Sequence, residues 1–88
     1  MNNRKYYISD DCVAEKLNEE MIVLNLSTGK YHELDAIGIV IWEEIKSSNP
    51  NLNDLIESLR AMFNDSFSET DVKMFLESLL DRGIILRK

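Results

Sequence analysis

The chain has 88 residues, 44% of them hydrophobic and 30% charged, with 16 Asp and Glu against 10 Lys and Arg and a net charge of −6. That makes one small globular domain with a net stability of roughly 3–5 kcal/mol, too apolar to be disordered. The acidic balance argues against a nucleic-acid reader, which needs clustered Lys and Arg to neutralise phosphates, and the lone Cys12 excludes an internal disulfide, as suits a reducing cytoplasm.

No basic region followed by an apolar run opens the chain, so no signal peptide is expected. No apolar run approaches the ~20 residues that span a membrane. Residues 1–11 read as an N-terminal arm and 12–88 as the domain proper. Within the arm, Tyr6, Tyr7 and Ile8 can pair as a strand or pack on the core, and Ser9, Asp10 and Asp11 are turn chemistry. Residues 12–17 read as a first strand, with Asn18, Glu19 and Glu20 as the turn. Residues 21–26 form a second strand and 30–34 a third, joined by Thr28 and Gly29 as a two-residue loop. Such a loop needs φ > 0, which Gly supplies without steric cost. The short connections imply an antiparallel meander.

That loop sets Leu26 opposite Tyr31 and Leu24 opposite Glu33. Ile22, Leu24, Leu26 and Tyr31 then share one face of the sheet. Met21, Val23 and Leu34 share the other, with Asn25 and His32. Both faces are fairly apolar, whereas a sheet covered on one side alternates more cleanly. Either the helices wrap both faces, which is the favoured reading, or apolar surface awaits a partner.

The rest is helical. Asp35 caps a helix running to about Ser48, with Ile37, Ile41 and Ile45 on one stripe that Val40 and Trp42 widen. Trp42 reads as core. Asn49, Pro50 and Asn51 break the chain. A second helix starts near Leu52 and carries Leu55, Ile56, Leu59 and Phe63 at helical spacing. After a loop at Asn64, Asp65 and Ser66, Ser68 caps the last helix, with Asp71 three residues on. Its stripe is Val72, Phe75, Leu76, Leu79 and Leu80, and Gly83 stops it. Ile84, Ile85 and Leu86 form a β-like tail against the sheet. The fold class is α+β: a winged-helix-like domain with a three-stranded antiparallel sheet followed by three helices.

Catalytic chemistry is hard to find. His32 and Cys12 are the only soft metal ligands, and a zinc site needs three or four. A Cys–His pair also needs an orienting third group and a pocket. The glycines at 29, 38 and 83 form no phosphate loop, and Glu19, Glu20, Glu43 and Glu44 read as solvated faces. No enzyme activity, cofactor or metal is expected.

Taken together, the stretch from Leu24 through Trp42 resembles the PqqD-like proteins, the recognition elements of ribosomally made, modified peptides (RiPPs). Leu24, Leu26, Thr28, Gly29, Tyr31, Leu34, Gly38, Ile41 and Trp42 carry the likeness, and Asp71, Val72, Phe75, Leu76, Leu79, Arg82, Gly83, Ile84 and Ile85 extend it, over roughly residues 12–86. Asp35 stands where the family often has Asn, and His32 where a second aromatic is common. The chain is most similar to the stand-alone recognition proteins of lasso-peptide pathways, which work beside a leader peptidase and a cyclase. The resemblance implies that a precursor's leader peptide adds as an antiparallel strand to the third strand, at Lys30, Tyr31, His32, Glu33 and Leu34. The groove would be bordered on the last helix by Val72, Phe75, Leu76 and Leu79. An edge strand without Pro offers its full ladder for this mode of binding. Each apolar residue on that helix also fits a core role, and Tyr31 fits either. Other readings are a chaperone for a radical modification enzyme, as in quinone-cofactor synthesis, or a winged-helix regulatory or DNA-binding module. No nucleic-acid or membrane partner is expected.

Overall fold

Alternating patterns build the first half of the molecule and helical stripes the second. The computed structural model describes residues 4–88; residues 1–3, the start of the expected arm, lie outside the described residues. In chain order the elements are β1 (Tyr6–Ile8), β2 (Cys12–Leu17), β3 (Glu20–Asn25), β4 (Tyr31–Leu34), α1 (Ala36–Ser48), α2 (Leu52–Phe63), α3 (Glu69–Asp81) and β5 (Ile85–Arg87). Strands β2, β3 and β4 form the expected three-stranded antiparallel sheet, in that order, and the three helices follow it.

Local chemistry starts each helix. The Asp35 side chain accepts from the Gly38 N–H at 2.8 Å, Asn51 from Asp54 at 2.8 Å and Ser68 from Asp71 at 3.2 Å. Each satisfies one of the orphan N–H groups of a first turn. The end of α3 is equally specific. Gly83 adopts a φ of +68°. The Ile84 N–H then reaches the Leu79 carbonyl at 2.9 Å and the Gly83 N–H the Leu80 carbonyl at 3.1 Å, a Schellman motif.

The core lies between the inner sheet face and the helices. Met21, Val23 and Leu34 from the sheet meet Ile41, Trp42 and Ile45 of α1, and Trp42 is core as expected. Leu55 and Leu59 of α2 and Val72, Leu76 and Leu79 of α3 complete it. The C-terminal tail departs from expectation. It pairs with the arm rather than packing as a strand on the main sheet: Tyr6 lies opposite Arg87 and Ile8 opposite Ile85 in a two-stranded sheet. Tyr6, Ile84 and Ile85 are all buried there. The Schellman turn at Gly83 directs the chain towards β1, and among the described residues no strand pairs with the outer edge of β4.

The hairpin register also needs correction. Leu24, not Leu26, lies opposite Tyr31, and Ile22, not Leu24, opposite Glu33. The loop is longer than Thr28 and Gly29 because Asn25 organises it. Its Oδ1 accepts from the Ser27 N–H at 2.9 Å and the Thr28 N–H at 3.3 Å, and its carbonyl from Gly29 at 2.8 Å. The slip is two residues, so side chains keep their faces. A second correction concerns the outer face. The helices cover only one side of the sheet, leaving Val13, Leu17 and Tyr31 exposed.

Asn25 has one further task. Its Nδ2 donates to the Gly83 carbonyl at 2.9 Å, tying the hairpin to the end of α3. Asn25 is 4% exposed. Asn25→Ala is expected to cost about 1–2 kcal/mol, since it strands the groups it serves. A small domain translates each kcal/mol into about 4–8 °C of melting temperature. A melting temperature indistinguishable from that of wild type would show that Asn25 bears no such load.

Candidate functional site

β4 is an edge strand, because the sheet order places β3 on one side of it and, among the described residues, no strand on the other. Its backbone polarity follows from one hydrogen bond. The Asn25 N–H donates to the Lys30 carbonyl at 2.8 Å. Hydrogen-bonded and non-bonded pairs alternate along an antiparallel ladder. The pair Val23 and His32 is therefore bonded, while Leu24 with Tyr31 and Ile22 with Glu33 are not. The N–H and C=O groups of Tyr31 and Glu33 point to the free edge, and those of His32 point into the sheet.

The side chains divide differently. Leu34 is buried in the core, and His32 is half-buried on the same inner face. Tyr31 and Glu33 project from the outer face and Lys30 is exposed just before the strand. Of the four candidates on α3, Val72, Leu76 and Leu79 are buried and Phe75 is half-buried. The ring of Phe75 meets His32 edge-on, with centroids 5.5 Å apart and planes at 69°. This contact joins the strand and helix halves of the expected site.

Two cavities flank it. One, of about 350 Å³, lies between the start of α1 and the start of α3. Ile37, Gly38, Ile41, Val72 and Phe75 line it with Phe67 from the α2–α3 loop, and Asp35, Asp65 and Asp71 also contribute. Leu76 and Leu79 line neither cavity. Arg60 holds the loop side: it pairs with Glu69, reaches Asp65 at 3.2 Å and lies 5.6 Å from the centre of the Phe67 ring. Gly38 gives the cavity its depth. A Cβ there would sit 3.3 Å from each of the Phe75 Cζ, the Leu34 Cβ and the Asp35 Oδ1. The second cavity, about 770 Å³ and more open, runs from Gly29 to Glu33 along β4 to Asp81 and Arg82 at the end of α3.

His32 joins this second cavity to Phe75. Its Nδ1 accepts from Arg82 Nη1. Burial, and then the Arg82 charge, push the imidazole below its ordinary pKa, against an opposing effect of Glu33. The ring is thus neutral at pH 7 and serves as a polar wall. Cys12 has different surroundings. Its Sγ lies 3.4 Å from the Ile84 carbonyl. Burial raises its pKa, a Ser9 hydrogen bond lowers it and Asp11 raises it again. The shift favours the protonated thiol, which donates to the Ile84 carbonyl. Among the described residues, no group of three or more His, Cys, Asp or Glu could hold a metal ion. No helix among them is long and apolar enough to cross a membrane.

Gly38, Phe67, Asp71 and Arg82 belong to the site's walls but not to the residues that the sequence nominated. Gly38 carried one usable signal: a glycine inside a helix costs about 1 kcal/mol relative to Ala, which flags a close approach. Arg82 had no local signal, because its partner His32 is 50 residues away.

Comparison with known proteins adds two matches. Residues 20–85 fit the model of the family described as coenzyme PQQ synthesis protein D (PqqD). Among solved structures, the fold matches that of TbiB1 in complex with the TbiA(beta) leader peptide, at 28% identity and a TM-score of 0.73, over 90% of this chain and 93% of that one. No curated protein matches the sequence.

Proposed function

From the premise that this chain belongs to the PqqD family, we propose that it is a non-catalytic RiPP recognition element that binds the leader of a ribosomally synthesised precursor peptide. The leader adds as an antiparallel strand to β4 and sets an apolar side chain against Phe75. The bound peptide is then delivered to a leader peptidase and a cyclase, as in a lasso-type pathway. One observation carries the reading: a free strand edge lies beside an apolar cavity whose wall, Phe75, touches that strand through His32. Backbone groups on the edge supply affinity, and the cavity reads side chains. The likeness to TbiB1, solved with a leader peptide, supports it.

The family's own description favours a second reading, a chaperone of the same kind serving the radical enzyme of quinone-cofactor synthesis. Neighbouring genes separate the two: a leader peptidase and an asparagine-synthetase-like cyclase accompany the first. The DNA-binding alternative is weak. The net charge is −6, and α3 carries Lys73 as its only basic residue, with Arg82 just beyond.

Titration of a fluorescent leader from the chain's own gene cluster is expected to saturate with a Kd near or below micromolar, about −8 kcal/mol. Tight binding to duplex DNA at physiological salt, with no affinity for the leader, would overturn the proposal.

A further inference from the structure

The groove between β4 and α3 carries different charges at its two ends. Asp71 and Phe75, in the first half of α3, share a cavity with Asp35, which follows the end of β4. Asp81 and Arg82, where α3 ends, share the other cavity with Gly29 to Glu33. The helix therefore lies along the strand in the opposite sense.

The first cavity has an apolar floor and an acidic mouth. Asp35, Asp65 and Asp71 line it, and among the described residues no Lys or Arg does. Arg60, on its loop side, is already paired with Glu69 and Asp65. The second cavity holds Lys30 and Arg82. Among the described residues neither forms an ion pair, although Glu33 and Asp81 line the same cavity. Arg82 instead donates from Nη1 to the His32 ring, which fixes the guanidinium beside the strand. An anchored guanidinium with N–H groups to spare suits a carboxylate.

Direction converts these two ends into an order. A peptide added antiparallel to β4 runs from the Leu34 end towards the Lys30 end. Its N-terminal part passes the acidic mouth and its C-terminal part the two cations. Side chains of a strand alternate, so those two positions before and two after the residue seated on Phe75 face the same groove. A peptide with the reverse order of charges would set like against like at both ends, which selects against it.

Resting on the reading above, we propose that the groove selects leaders by charge order: a Lys or Arg two positions before the apolar residue on Phe75, and an Asp or Glu two positions after it.

The test uses the full chain and two fluorescent versions of the leader from its own gene cluster. The anchor is the apolar leader residue whose replacement by Ala weakens binding most. One version carries Lys two positions before it and Glu two after, and the other exchanges the two. Composition and net charge are equal, so general attraction to a chain of charge −6 cancels. The first version is expected to bind about fivefold tighter, the combined effect of a few exposed ion pairs. In about 1 M salt, with a screening length near 3 Å, the difference is expected to vanish. Asp71→Asn and Arg82→Gln, each checked by thermal melt, are expected to shrink the preference about twofold. Lys30→Gln, at an exposed position that leaves the His32 contact intact, is expected to do the same. Equal affinity for the two versions would overturn the proposal, as would a full preference retained in all three folded variants. A wild-type chain that binds neither version nor the native leader removes the underlying reading, whereas one that binds the native leader and ignores charge order removes this proposal alone.

Discussion

Phe75→Ala is expected to weaken leader binding about 30-fold, roughly 2 kcal/mol, in a domain that remains folded. The reason lies in where the ring stands on α3. Val72, Leu76 and Leu79 face the core, whereas Phe75 sits at the border of the stripe, half-buried. It meets His32 edge-on, and its Cζ lies over the start of α1 where Gly38 leaves room. A fully buried Phe truncated to Ala costs about 3–5 kcal/mol of stability, comparable to the whole of a domain this size. A ring already partly in water without ligand forfeits less. Once a leader covers it, the ring becomes an aromatic anchor in a desolvated pocket, the kind of residue that dominates an interface. Thermal melts and leader titration on the same protein separate the two costs. Unfolding of the variant would make Phe75 core. A folded variant with unchanged affinity would remove it from the site.

Local signals in the sequence were sufficient for much of this architecture. Asp35 and Ser68 announce their helices through side chains that reach only three residues ahead, and Gly83 announces a stop through its backbone. The sheet faces survived an error in the loop because strand periodicity is two and the slip was two. Met21, Val23, Asn25, His32 and Leu34 remain together on the inner side, as expected. The loop is longer than a Thr-Gly pair predicts because Asn25 acts through its side chain, folding four residues. Long-range partners were not legible at all. No spacing rule links Tyr6 to Arg87, or His32 to Arg82. The one-sided coverage of the sheet is not legible for the same reason. An apolar outer row can be core or contact surface, and only the placement of the helices decides. Phe75 shows the limit on α3: the stripe was visible, but which of its members lies at the border depends on what β4 and α1 bring against it.

The backbone polarity of β4 makes a sharper test, since two neighbouring proline substitutions are expected to fail in different ways. Glu33→Pro removes an N–H that faces the free edge. The sheet's own ladder loses nothing, and Pro is tolerated on an edge strand in that orientation. The melt is expected to stay near that of wild type. The leader, added to that edge, would leave one carbonyl without a donor in a covered interface, a loss of about 1–3 kcal/mol. Affinity is expected to fall about 30-fold, the middle of that range. His32→Pro removes an N–H that faces Val23, a residue with no exposed surface. A buried carbonyl is then orphaned, and the contacts of the imidazole with Phe75 and Arg82 go with it. Against a total stability of only about 3–5 kcal/mol, this variant is expected to be largely unfolded at 37 °C. Full leader affinity in a folded Glu33→Pro protein, with His32→Pro either unfolded or also at full affinity, would rule out strand addition at β4. A folded His32→Pro protein that lost binding while Glu33→Pro kept it would reverse the ladder assignment, and with it the edge that the leader uses.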